Sequence, residues 1–286
     1  MPEWNDGTPP LVQQIIKDHM IAKAMDNPRR YDIFHPSAWG QCPRKVAYQW
    51  YNEKEPFWKK SKEDIDFRLE RIFDNGHGTH ARWQAYLDGA GVLRGYWRCP
   101  NPLCGAVHGT SERIGIYNPL KTTPGWKCHC GNGKKLIYDE VLVKSPPEYN
   151  FEGHCDAVVD LRGTPYFAEK RVNLFIVDLK TMKDEMYADL EKSKSEHVVQ
   201  VHIYMWLLDI PGAVVVYENK DNQELKEMFV PRDEALIEDI KKQAVWLRGL
   251  LHRNQLPKRP SSFSRSAFPC RLCEFQRICW DSSTGA

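Results

Sequence analysis

The chain has 286 residues, 42% of them apolar and 27% charged, enough for one large domain or two modest ones. It has no apolar run long enough to span a bilayer, and its polar, acidic start, M-P-E-W-N-D-G-T, is no signal peptide, which predicts a soluble cytoplasmic protein with no membrane partner. The net charge of +2 does not exclude nucleic acid, because acidic metal ligands and a basic channel cancel in the sum.

Residues 1–90 read as a helical region. Leu11, Ile15, Ile16 and Met20 recur at helical spacing up to Met25, and D-N-P-R-R ends that helix. Pro43, just after Cys42, suits the first turn of a helix running to about Tyr51. A further helical region spans Ser61 to Leu87, with Glu63 and Asp64 in its first turn. Asn75-Gly76 is expected to interrupt it; if the helix continues, Gly76 and His80 share a face and the glycine admits a backbone or phosphate. Lys59, Lys60 and Lys62, and later Arg253, Lys258, Arg259 and Arg265, form basic stretches that read as solvated surface.

The nine cysteines, an odd number in a chain expected to be intracellular, suit metal ligands better than disulfides. Within 91–134, W-R-C-P-N-P-L-C-G and W-K-C-H-C-G-N-G look like the two knuckles of a zinc ribbon. Cys99, Cys104, Cys128 and Cys130 would supply four thiolates to a structural Zn²⁺, with His108 and His129 able to replace one of them.

From 135 to 256 the pattern alternates strand and helix. Lys135 to Val143 reads as one strand, on which Glu140 is a candidate extra carboxylate, with a surface residue as the favoured reading. Asp156 starts the strand C-D-A-V-V-D-L, and F-I-V-D-L-K carries Asp178 and Lys180 on one face, with Leu179 on the other. Two carboxylates and an amine on adjacent strands suit a hard divalent cation and a water, although D-x-K alone is common by chance. E-H-V-V-Q-V-H-I-Y-M-W-L-L reads as a buried helix with Gln200 and Tyr204 one turn apart, followed by a hairpin. Pro231 and Asp233 start a last long helix to about His252, with Leu236, Ile240, Ala244, Leu247 and Leu251 as its inner stripe. In the tail, 257–286, Cys270, Cys273 and Cys279 are one ligand short of a closed site. Cys42 is the better candidate for the fourth, because Cys155 lies on a strand beside the acidic residues.

Taken in order, the early cysteine of Q-C-P-R-K-V-A-Y, G-x3-H (Gly76 to His80), G-x2-D (Gly153 to Asp156), D-x-K (Asp178 to Lys180), Q-x3-Y (Gln200 to Tyr204) and C-x2-C-x5-C resemble the RecB-like branch of the PD-(D/E)xK nucleases. They resemble most closely its iron–sulfur members, the CRISPR-associated adaptation exonucleases and the AddB nuclease domain, with the ribbon-like segment as an insertion. The resemblance implies an α/β, restriction-endonuclease-like mixed central sheet flanked by helices. Its N- and C-terminal segments would be joined by a [4Fe–4S] cluster on Cys42, Cys270, Cys273 and Cys279. Zinc would fit the same four thiolates, and the family favours the cluster. It implies Mg²⁺ or Mn²⁺ on His80, Asp156, Asp178 and the Leu179 carbonyl, with Lys180 positioning the attacking water and Gln200 and Tyr204 orienting Lys180 or the phosphate backbone.

The implied activity is a metal-dependent deoxyribonuclease acting on single-stranded DNA or duplex ends, commonly 5′→3′, in recombination, repair or phage DNA metabolism in a bacterial, archaeal or phage-infected cell. Trp58, Trp83 and Trp97 are candidates for stacking on unpaired bases, with core packing as their other reading. The chain has no G-x4-G-K-[ST] motor motif, so a helicase, recombinase or integrase would be a separate partner. The alternatives are a CRISPR adaptation trimming nuclease and, in a different class, a catalytically silent metal-stapled DNA-binding scaffold.

Overall fold

The structure is a computed structural model that describes residues 11–26, 30–57, 61–62, 65–109, 128–131, 136–162, 164–165, 173–266 and 268–281. In chain order the elements are α1 (Leu11–Asp26), α2 (Pro43–Lys54), α3 (Phe67–Gly89), β1 (Leu93–Arg94), β2 (Tyr96–Arg98), β3 (Val107–Gly109), β4 (Ile137–Asp139), β5 (Val141–Lys144), β6 (Glu152–Cys155), β7 (Ala157–Asp160), β8 (Leu174–Met182), α4 (Asp184–Ala188), α5 (Ser195–Leu208), β9 (Gly212–Asn219), β10 (Leu225–Pro231), α6 (Glu234–His252) and α7 (Gln276–Asp281).

A five-stranded mixed sheet in the order β1–β7–β8–β9–β10 is flanked by helices. β8 and β9 are parallel, with α5 in the connection between them, and the other pairs are antiparallel. Both faces of β8 are covered, so its sequence is a nearly continuous apolar run. One face packs Val158, Ile176, Val215 and Tyr217 against Val201, Tyr204 and Met205 of α5. The other packs Val177, Leu179 and Val216 against Trp83 and Leu87 of α3. A third cluster joins Phe34, Trp39, Trp50 and Phe151 to the inner stripe of α6. That stripe is Ile237, Ile240, Ala244, Leu247 and Leu251, with Leu236 packed at its edge.

Two expectations are overturned here. First, α3 is not interrupted at Asn75-Gly76: it runs unbroken for 23 residues. Gly in a helix costs only about 1 kcal/mol against Ala, and two anchors outweigh that. At the start Asp66 accepts from the backbone N–H of Arg68 and Leu69, at 2.8 and 3.2 Å. At the far end Trp83 and Leu87 dock on the sheet. Asp66 rather than Ser61 opens the helix, and Glu63 and Asp64 lie outside the described residues. Second, the single strand expected from Lys135 to Val143 is two strands. β4 pairs with β2 in a three-stranded sheet, while β5 pairs with β6, so the chain changes sheet at Glu140. The same happens at Asp156, where β6 leaves β5 and β7 enters the five-stranded sheet.

The tail folds back onto α2. Arg44 donates to the Pro257 carbonyl at 2.8 Å, the Tyr51 hydroxyl to that of Gln255 at 3.0 Å, and Gln49 to Glu274 at 3.1 Å. Phe275 stacks on Tyr48, with 5.5 Å between ring centroids. Among the described residues, no helix is long and apolar enough to cross a membrane.

Candidate active site

The two changes of sheet put two carboxylates side by side. Val141 pairs with Cys155, so the next step along the ladder sets Glu140 opposite Asp156. β8 lies beside β7 and presents Asp178 and Lys180 on a single face, in the middle of the protein. α3 packs on the other face, against Val177 and Leu179, and brings His80 to the Leu179 carbonyl and, one turn later, Gln84 to the Asp156 carbonyl.

Asp178 has no solvent exposure; its Oδ2 pairs with the Lys180 ammonium at 2.8 Å, and its Oδ1 has no hydrogen-bond partner among the described residues. Burial pushes the Asp178 carboxyl up to about 6, against the pull of Lys180 and with a further push from Asp156. Burial draws the Lys180 ammonium down, but Asp178 and Asp156 outweigh it and hold its pKa raised. Asp156, also buried, accepts the Leu179 N–H at 2.8 Å, and its other oxygen lies 3.6 Å from His80 Nδ1. His80 Nε2 is 3.0 Å from the Leu179 carbonyl oxygen. Neighbouring donors of an octahedral Mg²⁺, each about 2.1 Å from the ion, are about 3 Å apart. The imidazole and the Leu179 carbonyl stand at that spacing, and the buried Asp178 keeps one carboxylate oxygen without a hydrogen bond, a donor set that suits a divalent cation.

Gln200 donates to the Tyr204 hydroxyl at 3.1 Å, which donates to the His154 carbonyl at 2.8 Å. This pair therefore braces the strand leading to Asp156. Among the described hydrogen bonds neither side chain bonds Lys180. Burial, then Asp156 and Asp178, push the Tyr204 hydroxyl far above its ordinary value, so it stays a donor.

For Glu140 a surface position was favoured over an extra carboxylate of the site. It lies instead in a trio with His80 and Asp156, whose ligand atoms are all within 4.8 Å of one another. Gln84, which sequence reasoning passed over, makes that arrangement. Its amide donates to Glu140 at 2.9 Å and to the Asp156 carbonyl at 2.8 Å. The signal was present in the sequence, because Gln84 is four residues beyond His80 and shares its helix face. Of the tryptophans considered for base stacking, Trp97 is 4% exposed in the core. Trp83 packs beside that core with its indole N–H donated to Glu218 at 2.7 Å. Trp58 lies outside the described residues, as do Lys59 and Lys60.

Cysteines converge at two other places. Cys99, Cys104, Cys128 and Cys130 bring four sulfurs within 4.8 Å of one another beside the sheet β3–β2–β4. Cys42, at the N-cap of α2, shares the lining of a cavity of about 170 Å³ with Cys270, Cys273 and Cys279. Burial pushes the Cys42 and Cys273 thiols up, the ordinary state of thiols with no cation to ionise them. Cys155 is wholly buried in the apolar core next to Asp156 and belongs to neither group. Of the basic residues flagged near the tail, Arg265 pairs with Asp281, and Arg259 lies over Trp280 and donates to the Cys279 carbonyl.

Carboxylates and a lysine on neighbouring strands of a mixed sheet define a class of phosphodiesterase fold, and the sequence places the chain in it. The pattern of the PD-(D/E)XK nuclease superfamily matches residues 133–280, just over half of the chain, and the protein belongs to that superfamily. The chain is similar to the crystal structure of SSO0001, at 15% identity and a TM-score of 0.47, over 95% of this chain and 97% of that one. It is also similar to the alkaline exonuclease LHK-Exo from Laribacter hongkongensis, at 13% identity and a TM-score of 0.41, over 83% of this chain and 93% of that one. A structure of LHK-Exo with dAMP matches at 12% identity and a TM-score of 0.37, over the same shares of the two chains. No curated protein matches the sequence.

Proposed function

We propose that the protein is a divalent-cation-dependent deoxyribonuclease that degrades DNA from single-stranded or duplex ends, with 5′→3′ polarity, in DNA recombination or repair. The observation that carries this is Asp178: a fully buried carboxylate paired with Lys180 through one oxygen, with the other oxygen left without a hydrogen bond. His80, Asp156, Asp178 and the Leu179 carbonyl would hold Mg²⁺ or Mn²⁺, which supplies charge neutralisation at the phosphate and an acidified water. Asp156 fixes the Leu179 peptide through its N–H and so aims the carbonyl on the other side of that residue toward His80. Lys180, held protonated, stands ready to donate to a phosphate oxygen or the attacking water, offsetting the negative charge that develops. Gly76, one turn before His80, has open space where a Cβ would stand, which leaves room for a phosphodiester backbone.

Around this core, the Cys42, Cys270, Cys273 and Cys279 group would carry a [4Fe–4S] cluster. Its support is the cavity whose lining the four cysteines share. The other four cysteines, in the segment 91–134, would bind a structural zinc. Helicase, recombinase or integrase partners would deliver DNA ends.

The deciding experiment is digestion of end-labelled single-stranded and duplex DNA with Mn²⁺ or Mg²⁺, wild type beside Lys180→Ala. The wild type should degrade DNA only with the cation, and the variant should be slower by about 100-fold or more. Equal DNA binding with no degradation by either protein would replace the nuclease with a silent scaffold.

A further inference from the structure

The cysteine ribbon carries more donors than one ion can use. Cys99 and Cys130 have their sulfurs 3.7 Å apart, and Cys104 and Cys128 theirs 3.5 Å apart. Tetrahedral zinc with Zn–S bonds of about 2.3 Å separates its sulfurs by about 3.8 Å, so these four thiols form a complete set. Two imidazoles stand against the same sulfur. His108 Nε2 lies 3.4 Å from Cys128 Sγ, and His129 Nδ1 lies 3.9 Å from it. For zinc bound by nitrogen at about 2.0–2.1 Å and sulfur at about 2.3 Å, the expected N···S separation is about 3.6 Å. The three donor atoms of His108, Cys128 and His129 are all within 4.8 Å of one another.

The backbone explains why they meet. His108 sits opposite Trp97 in the β2–β3 pair, and partners across a ladder project on the same side. Trp97 and Cys99 are two residues apart, so the side that carries Trp97 leads on to the first thiol. His129 is the middle residue of C-H-C and is exposed beside two ligand cysteines.

We propose that the ribbon holds two zinc ions that share the Cys128 thiolate. The first takes Cys99, Cys104, Cys128 and Cys130; the second takes His108, Cys128 and His129 and keeps its fourth position for water. This rests on the assignment of the four cysteines to zinc. Charge favours the pair. Four thiolates around one Zn²⁺ leave a net charge of −2, and a second Zn²⁺ bound by two neutral imidazoles and the shared sulfur brings the unit to zero. The unit stands beside apolar core, since Cys99 and Cys128 are buried with Trp97 and Leu136, where uncompensated charge is costly.

The test is a zinc and iron count on the full-length protein. It is first exchanged into excess Mg²⁺, so that the carboxylate site holds no zinc. Wild type is compared with His108→Ala/His129→Ala and with Cys104→Ser. The double-histidine variant should hold one zinc fewer per chain than wild type, with its iron content and its nuclease rate unchanged. Equal zinc in these two proteins overturns the second ion and makes His108 a hydrogen-bond donor to a single four-thiolate centre. If Cys104→Ser also matches wild type, the ribbon assignment itself falls. Should the variant lose its fold, native mass spectrometry of the wild type decides. Two zincs per chain are expected where iron fills the Cys42 group, and three where zinc does. One fewer in either case overturns the proposal.

Discussion

The Asp178 carboxyl titrates near 6 because it is buried, whereas in an unfolded chain it titrates at about 3.8. The folded state therefore holds more protons between those values. The stability this residue contributes is greatest below about pH 4 and is lost as pH rises through about 6. In cation-free protein, Asp178→Asn should melt at progressively higher temperature than wild type as pH climbs from 4 to 6, and the gap should then level off. Lys180 stays protonated throughout that range, so its lost partner adds only a constant offset. Activity should show an acid limb in the same window, shifting to lower pH as Mn²⁺ is raised, because cation and proton compete for one carboxylate. A limb insensitive to Mn²⁺ would remove Asp178 from the cation site. Gln84→Met keeps the volume and loses both hydrogen bonds, so it should weaken cation affinity about 10-fold or more, with rate restored by excess Mn²⁺. An unchanged Mn²⁺ titration would reduce Gln84 to packing. D-x-K, G-x2-D and the histidine were legible in the sequence because each motif is local. Glu140 was legible only as the less favoured of two readings, because its place depends on a change of sheet that no local pattern announces.

At the scale of elements, periodicity located the helices well where both ends are chemically marked. Asp233 caps α6 and Pro43 opens α2, as expected, whereas Pro231, expected to start α6 as well, is the last residue of β10. It failed at Asn75-Gly76, where tertiary docking overrides a local helix breaker. That failure has a measurable counterpart. A Cβ on Gly78 would meet no atom within 4 Å, so Gly78→Ala should stabilise the protein by about 0.5–1 kcal/mol in urea unfolding. A loss of stability instead would mean that α3 does not run straight through this turn. The apolar spacing in α1 was also legible, but Ile15 and Ile16 remain exposed, since helical period alone does not say that a face is covered.

Across the whole molecule, the tail and α2 are far apart in sequence and joined through Arg44, Tyr48, Gln49 and Tyr51. A cluster there would close a loop of most of the chain, worth on the order of 5 kcal/mol of unfolded-state entropy. Cys42→Ser should therefore abolish the brown colour of anaerobically prepared protein and lower its melting temperature, while leaving ribbon zinc in place. Zinc in place of iron at this group would keep the closure but remove the cluster.

The change of sheet at Glu140 has one more consequence. β4 ends at Asp139, so nothing separates the ribbon's sheet from the carboxylate that follows it. Asp178, by contrast, is clamped in the centre of five strands. One carboxylate of the site is thus tied through the backbone to the ribbon's sheet and the other to the core of the fold.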